Sequence, residues 1–146
     1  MTRRERRDLL ELVGPLARGL RRIEERSARA AGLSMWQYAV LSAASRQEGL
    51  SQTEVADRLG YSRNRIIGDL DLLQERGLVE RRTGSDRRRH HIHVTPAGRE
   101  TAAEVRAAIW TAEDAMLAHL PGRTRESLQD LLEQVLAAPT SSTERG

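Results

Sequence analysis

Ser51-Gln52-Thr53-Glu54-Val55-Ala56-Asp57-Arg58-Leu59-Gly60-Tyr61-Ser62-Arg63-Asn64-Arg65-Ile66-Ile67-Gly68-Asp69-Leu70 is the stretch on which the fold turns. Its first four residues form a capping box, in which the serine hydroxyl and the glutamate carboxylate each satisfy a backbone amide that a helix start leaves unpaired. A short helix therefore opens there, runs through Val55 and Leu59, and stops at Gly60. Ser62 caps a second helix whose apolar stripe is Ile66, Leu70 and Leu73; Gly77 closes it and Leu78 can pack back. Two short helices across a Gly60-Tyr61 turn make a helix-turn-helix.

Working outward, Leu78 to Arg82 and His90 to Thr95 are short β-forming runs separated by Thr83-Gly84-Ser85-Asp86, and they read as a hairpin, or wing. Thr95-Pro96 places a cap and a first-turn proline at the start of a long helix expected to reach Leu120, with Ala102, Val105, Ile109, Ala112 and Met116 forming a heptad-like seam. Pro121-Gly122 breaks it before a last helix bearing Leu128, Leu131, Leu132, Val135 and Leu136. Pro139 is expected to end order, leaving 140–146 as a flexible tail. Upstream, Ser34-Met35-Trp36-Gln37 is another capping box and opens a helix from Met35 to about Gln47. A first helix from Arg4 to about Ala31, carrying Leu9, Leu12, Val13, Leu16, Leu20 and Ile23, ends at Gly32, and Pro15 is expected to kink it or break it near Leu12.

The expected class is mainly α (α+β): a winged helix-turn-helix lobe over 34–95, flanked by N- and C-terminal dimerisation helices over 1–33 and 96–139. The central part can fold on a local core. The first and last two helices present apolar stripes that nothing else in the chain would cover, and a twofold partner would cover them, which predicts a homodimer.

At 146 residues the chain suits one domain. It has no cysteine, which excludes disulfides, thiolate metal sites, thiol nucleophiles and cysteine redox sensing. No apolar run is long enough for a signal peptide or a membrane span, so a soluble cytoplasmic protein without a membrane partner is expected. All 24 basic residues are arginine and the net charge is +3. Residues 61–93 hold 8 arginines against 5 acids, so the whole excess sits in one segment. A local basic excess is the footprint of a nucleic-acid contact, because cations displace counterions condensed on phosphate.

Leu50-Ser51-Gln52-Thr53-Glu54-Val55-Ala56, Glu75-Arg76-Gly77-Leu78-Val79-Glu80-Arg81, Asp86-Arg87-Arg88 and Val94-Thr95-Pro96-Ala97-Gly98-Arg99, in that order and spacing, resemble the MarR (multiple antibiotic resistance regulator) family of winged helix-turn-helix regulators. The resemblance implies a triangular homodimer built from the terminal helices and two winged lobes on a palindromic double-stranded DNA operator. It also implies, in many members, a small aromatic or anionic effector between lobe and dimer domain. The chain departs from the family within its second short helix, where Ile67-Gly68 stands in place of a common Thr-Arg pair.

In helix-turn-helix docking the first turn of the second helix enters the major groove, which nominates Ser62, Arg63, Asn64 and Arg65. Arginine can bridge guanine O6 and N7, asparagine can bridge adenine N6 and N7, and Ser62 with free helix amides can hold a phosphate. A solvated arginine face is the plainer alternative. Asp86, Arg87, Arg88 and Arg89 crowd the hairpin tip, where an arginine gains from the negative potential of a narrow minor groove; in the family an Asp-x-Arg pattern serves this role, implying it for Asp86 and Arg88. Ser51, Gln52, Arg81 and Arg82 are assigned to phosphates. His90, His91 and His93 invite a metal, since His91 and His93 fall on one face of a strand, yet there is no cysteine and no third ligand at fixed spacing completes that pair; phosphate contact or strand packing is the plainer role, and neither metal nor cofactor is expected. Trp36, Tyr38 and Trp110 would fit either an effector pocket or ordinary core packing.

No phosphate loop, Gly-x-Ser-x-Gly elbow or His-Glu-x-x-His pattern points to an enzyme. A sequence-specific DNA-binding transcription regulator, repressing until an effector releases it, is the expected function. A non-sequence-specific architectural DNA-binding protein and a winged helix used only for protein contacts remain open alternatives.

Overall fold

The residues described by the computed structural model are 6–85 and 89–137. The elements run α1 (Leu9–Ala30), α2 (Met35–Arg46), β1 (Leu50–Ser51), α3 (Gln52–Leu59), α4 (Arg63–Glu75), β2 (Val79–Thr83), β3 (His90–Val94), α5 (Pro96–Met116) and α6 (Gly122–Ala137). The chain divides into two compact units, Met1–Ala112 and Glu113–Gly146.

Both predicted capping boxes form: Ser34 and Gln37 exchange hydrogen bonds at the start of α2, and Ser51 and Glu54 do so at the start of α3. Ser62 accepts from the Arg65 amide to open α4. At the far end of α4, Gly77 at φ +72° lets its amide reach Gln74 O and lets Leu78 N reach Leu73 O, both at 2.9 Å. That left-handed closure turns the chain straight into β2 and buries Leu78.

The sheet has the order β1-β3-β2, antiparallel throughout. Val79 pairs with Val94, Arg81 with Ile92 and Thr83 with His90, while Leu50 pairs with Ile92 from the other side. Alternation along β2 and β3 sends Val79, Ile92 and Val94 into the core and turns His91 and His93 to the other face. The third strand was not legible in advance: two residues are too few to carry a period.

One apolar core joins Leu33, Val40, Leu41, Leu50, Val55, Ile66, Leu70, Leu73, Val79 and Ile92, with Ala28 from α1 and Ala102, Val105 and Ile109 from α5. The seam expected to await a partner is therefore covered over Ala102, Val105 and Ile109 by the chain itself. Gly98 makes the approach of α5 feasible, since a Cβ there would lie 2.0 Å from the Leu78 carbonyl oxygen. Thr95 completes the junction, its hydroxyl donating to Gly77 O (2.6 Å) and accepting from Gly98 N (3.1 Å).

Other boundaries differ from expectation. α1 starts at Leu9, with residues 6–8 outside the helix, and it continues through Pro15 without a break. The proline withholds a single donor, the one owed to Glu11 O, and both residues lie on exposed surface where water can take the freed carbonyl. α5 ends at Met116, one turn before Leu120. Leu9, Leu10, Leu12 and Val13 of α1 stand exposed. In the second unit α6 has no buried residue, and Leu131, Leu132, Val135 and Leu136 are exposed. The hairpin residues Asp86, Arg87 and Arg88, the expected helix start at Arg4, and the expected end of order at Pro139 with tail 140–146 lie outside the described residues.

Candidate nucleic-acid interface

The buried stripe Ile66-Leu70-Leu73 seats α4 on the core and fixes which residues face out. Ser62, Arg63, Asn64, Arg65, Ile67 and Gly68 are exposed. Arg63 and Asn64 make no side-chain hydrogen bond or ion pair among the described residues, and their backbone amides open the helix without an intrahelical partner. This end of α4 thus offers one cationic donor, one amide side chain and two backbone N–H groups to an incoming ligand. Gly68 has nothing within 4 Å of where a Cβ would lie, so it leaves a gap in the outward face.

Arg65 is placed differently from its neighbours. Its guanidinium carbon lies 4.8 Å from the Trp36 ring centre and 5.3 Å from that of Tyr61. The two rings are 4.8 Å apart at 57°. Asp69, one turn along α4, is partly buried with its Oδ2 unpartnered among the described residues, and burial raises its carboxyl above the usual range although Arg65 and Gln37 oppose the shift. Burial, with Asp69 adding to it, pushes the Tyr61 phenol up to about 12. Sequence reading nominated Arg65 but missed Tyr61 and Asp69; the signal was Tyr61 following the Gly60 stop, with Trp36 at the second position of capped α2.

The residues assigned to phosphates separate into two groups. Ser51 is buried and its hydroxyl caps α3 through Glu54 N (3.1 Å). Arg81 lies on the core-facing side of β2, where its guanidinium binds Asp71 and donates to Gln74 Oε1 (2.8 Å). Alternation from buried Val79 is the signal that could have placed it inward. Arg82, on the outer face, pairs with Glu80 at 3.0 Å and remains largely exposed. Gln52 is half-buried at the first position of α3. Arg89 is exposed at the end of the hairpin, its carbonyl accepting from Gly84 N (3.1 Å).

His91 is tied by its Nδ1–H to Gly49 O (2.8 Å), which anchors β3 to the turn before β1. Among the described residues no group of three or more metal-ligating side chains comes together, and no helix is long and apolar enough to cross a membrane. The aromatic trio does not assemble as one pocket wall. Trp36 packs on Tyr61, and Trp110 is 60 % exposed on α5. Tyr38 lines an open cleft of about 340 Å³ with Glu24, Ala39, Ser42, Ala43, Arg46, Arg58 and Leu59. Burial raises the Glu24 carboxyl there. Arg76, also unforeseen, donates to Gly32 O (2.8 Å) and Ala31 O (3.0 Å), pinning the end of α1 to the end of α4.

Residues 31–89 match the MarR family model. A Rhodococcus sp. RHA1 transcriptional regulator of that family is 30% identical, with 87% of this chain and 89% of that chain covered and a TM-score of 0.72. CouR from Rhodococcus jostii RHA1, solved with p-coumaroyl-CoA, is 29% identical over 91% of this chain and 94% of its own, with a TM-score of 0.74. CouR, a transcriptional repressor, has also been solved on a 23-mer DNA duplex, at 28% identity over 88% and 92% and a TM-score of 0.76. A Thauera aromatica protein named as a transcriptional regulatory protein for the hcr operon is 30% identical over 105 residues, 71% of this chain; the chain spans 63% of that relative's length. With a winged lobe of this build, and a relative of 30% identity matched over most of both chains, the chain belongs to the MarR family of transcriptional regulators.

Proposed function

We propose that this chain is a homodimeric regulator that binds a pseudo-palindromic site in duplex DNA, represses by occupying it, and is released by a small effector. The observation that carries the reading is the unspent donor set at the start of α4, where the exposed Arg63 and Asn64 and two backbone amides have no partner among the described residues. Arg63, Asn64 and Arg65 read base edges in the major groove, and Ser62 with the helix amides holds a phosphate. Asp86, Arg87, Arg88 and Arg89 place the wing in the flanking minor groove. Gln52 and Arg82 take backbone phosphates, while Ser51 and Arg81 act through the cap and the β2–α4 tie that occupy them. The lobe over 34–95 binds DNA, and the helices over 1–33 and 96–139 supply the dimer contacts, their exposed leucines and valines meeting a twofold copy. That CouR has been solved both on DNA and with an acyl-CoA supports the operator and the effector alike. Of the three aromatics nominated for an effector, Tyr38 lines the α1–α2–α3 cleft and is the best placed. The role is one of binding and not of catalysis, carried out in the cytoplasm.

The test compares Arg63→Ala with Arg89→Ala on a selected site and on scrambled duplex over a range of salt. Arg63→Ala is expected to cost about 1–3 kcal/mol on the selected site and little on scrambled DNA. Arg89→Ala is expected to weaken both alike and to flatten the salt slope. Equal effects of the two substitutions would contradict the division of roles, and a steep salt slope without any preference would leave an architectural protein.

A further inference from the structure

We propose that Trp36 and Tyr61 are positioning residues for DNA recognition, forming an aromatic shelf that holds the Arg65 guanidinium ready for a base edge or phosphate. The inference rests on the DNA-binding reading above. The guanidinium carbon sits 4.8 Å and 5.3 Å from the centres of two rings that are themselves 4.8 Å apart and tilted by 57°, so one cation lies over both rings. Stacking engages the flat face of a guanidinium and leaves its N–H edges free. Those edges have no hydrogen-bond partner among the described residues, although Asp69 lies on the same helix one turn away.

The shelf is itself held in place. Trp36 follows directly on the capping box that starts α2, in which Ser34 N donates to Gln37 Oε1 at 3.0 Å, and its ring packs on that of Tyr61. Tyr61 is fixed by its backbone, its amide donating to Ala56 O (2.8 Å) at the end of α3. A free arginine loses much rotamer entropy when it docks. One that is already stacked has lost most of it in the free protein, so the cost of ordering at the interface falls.

The experiment is a double-substitution cycle with Trp36→Leu, Arg65→Ala and the pair, read as affinity for a selected duplex by fluorescence anisotropy. Trp36→Leu is expected to weaken binding about 3- to 30-fold in the wild-type background and less than about twofold when Arg65 is already alanine. Trp36→Phe, which keeps a ring face, should restore most of the loss, and Arg65→Lys, which keeps charge without a planar face, should not. A nitrogen–proton correlation spectrum of the free protein tests the stack without DNA: the Arg65 Nε–H resonance should be displaced by ring current in the wild type and return toward ordinary values in Trp36→Leu. Additive losses, an unchanged affinity, or tighter binding by Trp36→Leu would each overturn the shelf. Failure of the wild type to retain any duplex, with the ring-current displacement present, would instead overturn the DNA-binding reading on which it rests.

Discussion

At the scale of single residues, two positions show how local chemistry reaches beyond itself. Gly98 sits where α5 leaves the sheet, and a methyl group there would collide with the Leu78 carbonyl oxygen and with Val94 Cγ1 at 2.8 Å. Because the obstacle is backbone, the helix must move. Gly98→Ala is expected to lower stability by about 1–3 kcal/mol in urea unfolding, and an unchanged midpoint would contradict the close approach. Glu24 is the second case. Burial raises its carboxyl, so ionisation costs more in the folded state than in the unfolded one and works against folding at neutral pH. That penalty is present above the raised value and absent below the ordinary carboxylate range. Glu24→Gln should therefore melt higher than the wild type at pH 7, with the difference vanishing near about pH 4; a difference independent of pH would mean that packing, not charge, is responsible.

At the scale of elements, the capped helices were readable because capping is local: Ser34, Ser51 and Ser62 each bond within three residues of themselves. The helix order, the hairpin and the core stripe of α4 follow from the same short-range patterns. What escaped reading depends on distant partners. Nothing near Leu50 announces that it pairs with Ile92, and nothing near Arg76 announces the carbonyls of Ala31 and Gly32. The candidate site divides in the same way. Arg63 and Asn64 face outward as helical position alone predicts, whereas the stacking of Arg65 requires Trp36, nearly thirty residues upstream. Neighbouring Arg81 and Arg82 make the point testable. Arg81→Ala should cost about 0.5–1 kcal/mol of stability by untying β2 from α4, while Arg82→Ala should leave stability within about 0.5 kcal/mol and weaken DNA binding. Identical stability losses would show that strand alternation does not separate them.

At the scale of the whole molecule, each unit leaves apolar side chains in water that a lone chain would not be expected to expose. Leu9, Leu10, Leu12 and Val13 do so on α1, and Leu131, Leu132, Val135 and Leu136 do so on α6. Burial against a second copy would remove that cost and set two lobes at a fixed separation. Leu132→Glu is expected to shift the protein to monomer in analytical ultracentrifugation at micromolar concentration and to lower operator affinity through lost pairing, since α4 is untouched. A variant that stays dimeric would assign the contact elsewhere. The proposed effector would act at this scale too, because it could shift lobe spacing only by as much as its affinity differs between the two arrangements.

Whether two copies of α4 read one duplex together can be decided by selection from a pool of random duplexes at two salt concentrations, followed by sequencing of what is retained. An enriched inverted repeat is expected, with half-sites roughly 34 to 36 Å apart, one helical turn, and with enrichment that survives the higher salt. Retention without an enriched sequence, or no retention at low salt, would contradict that paired reading.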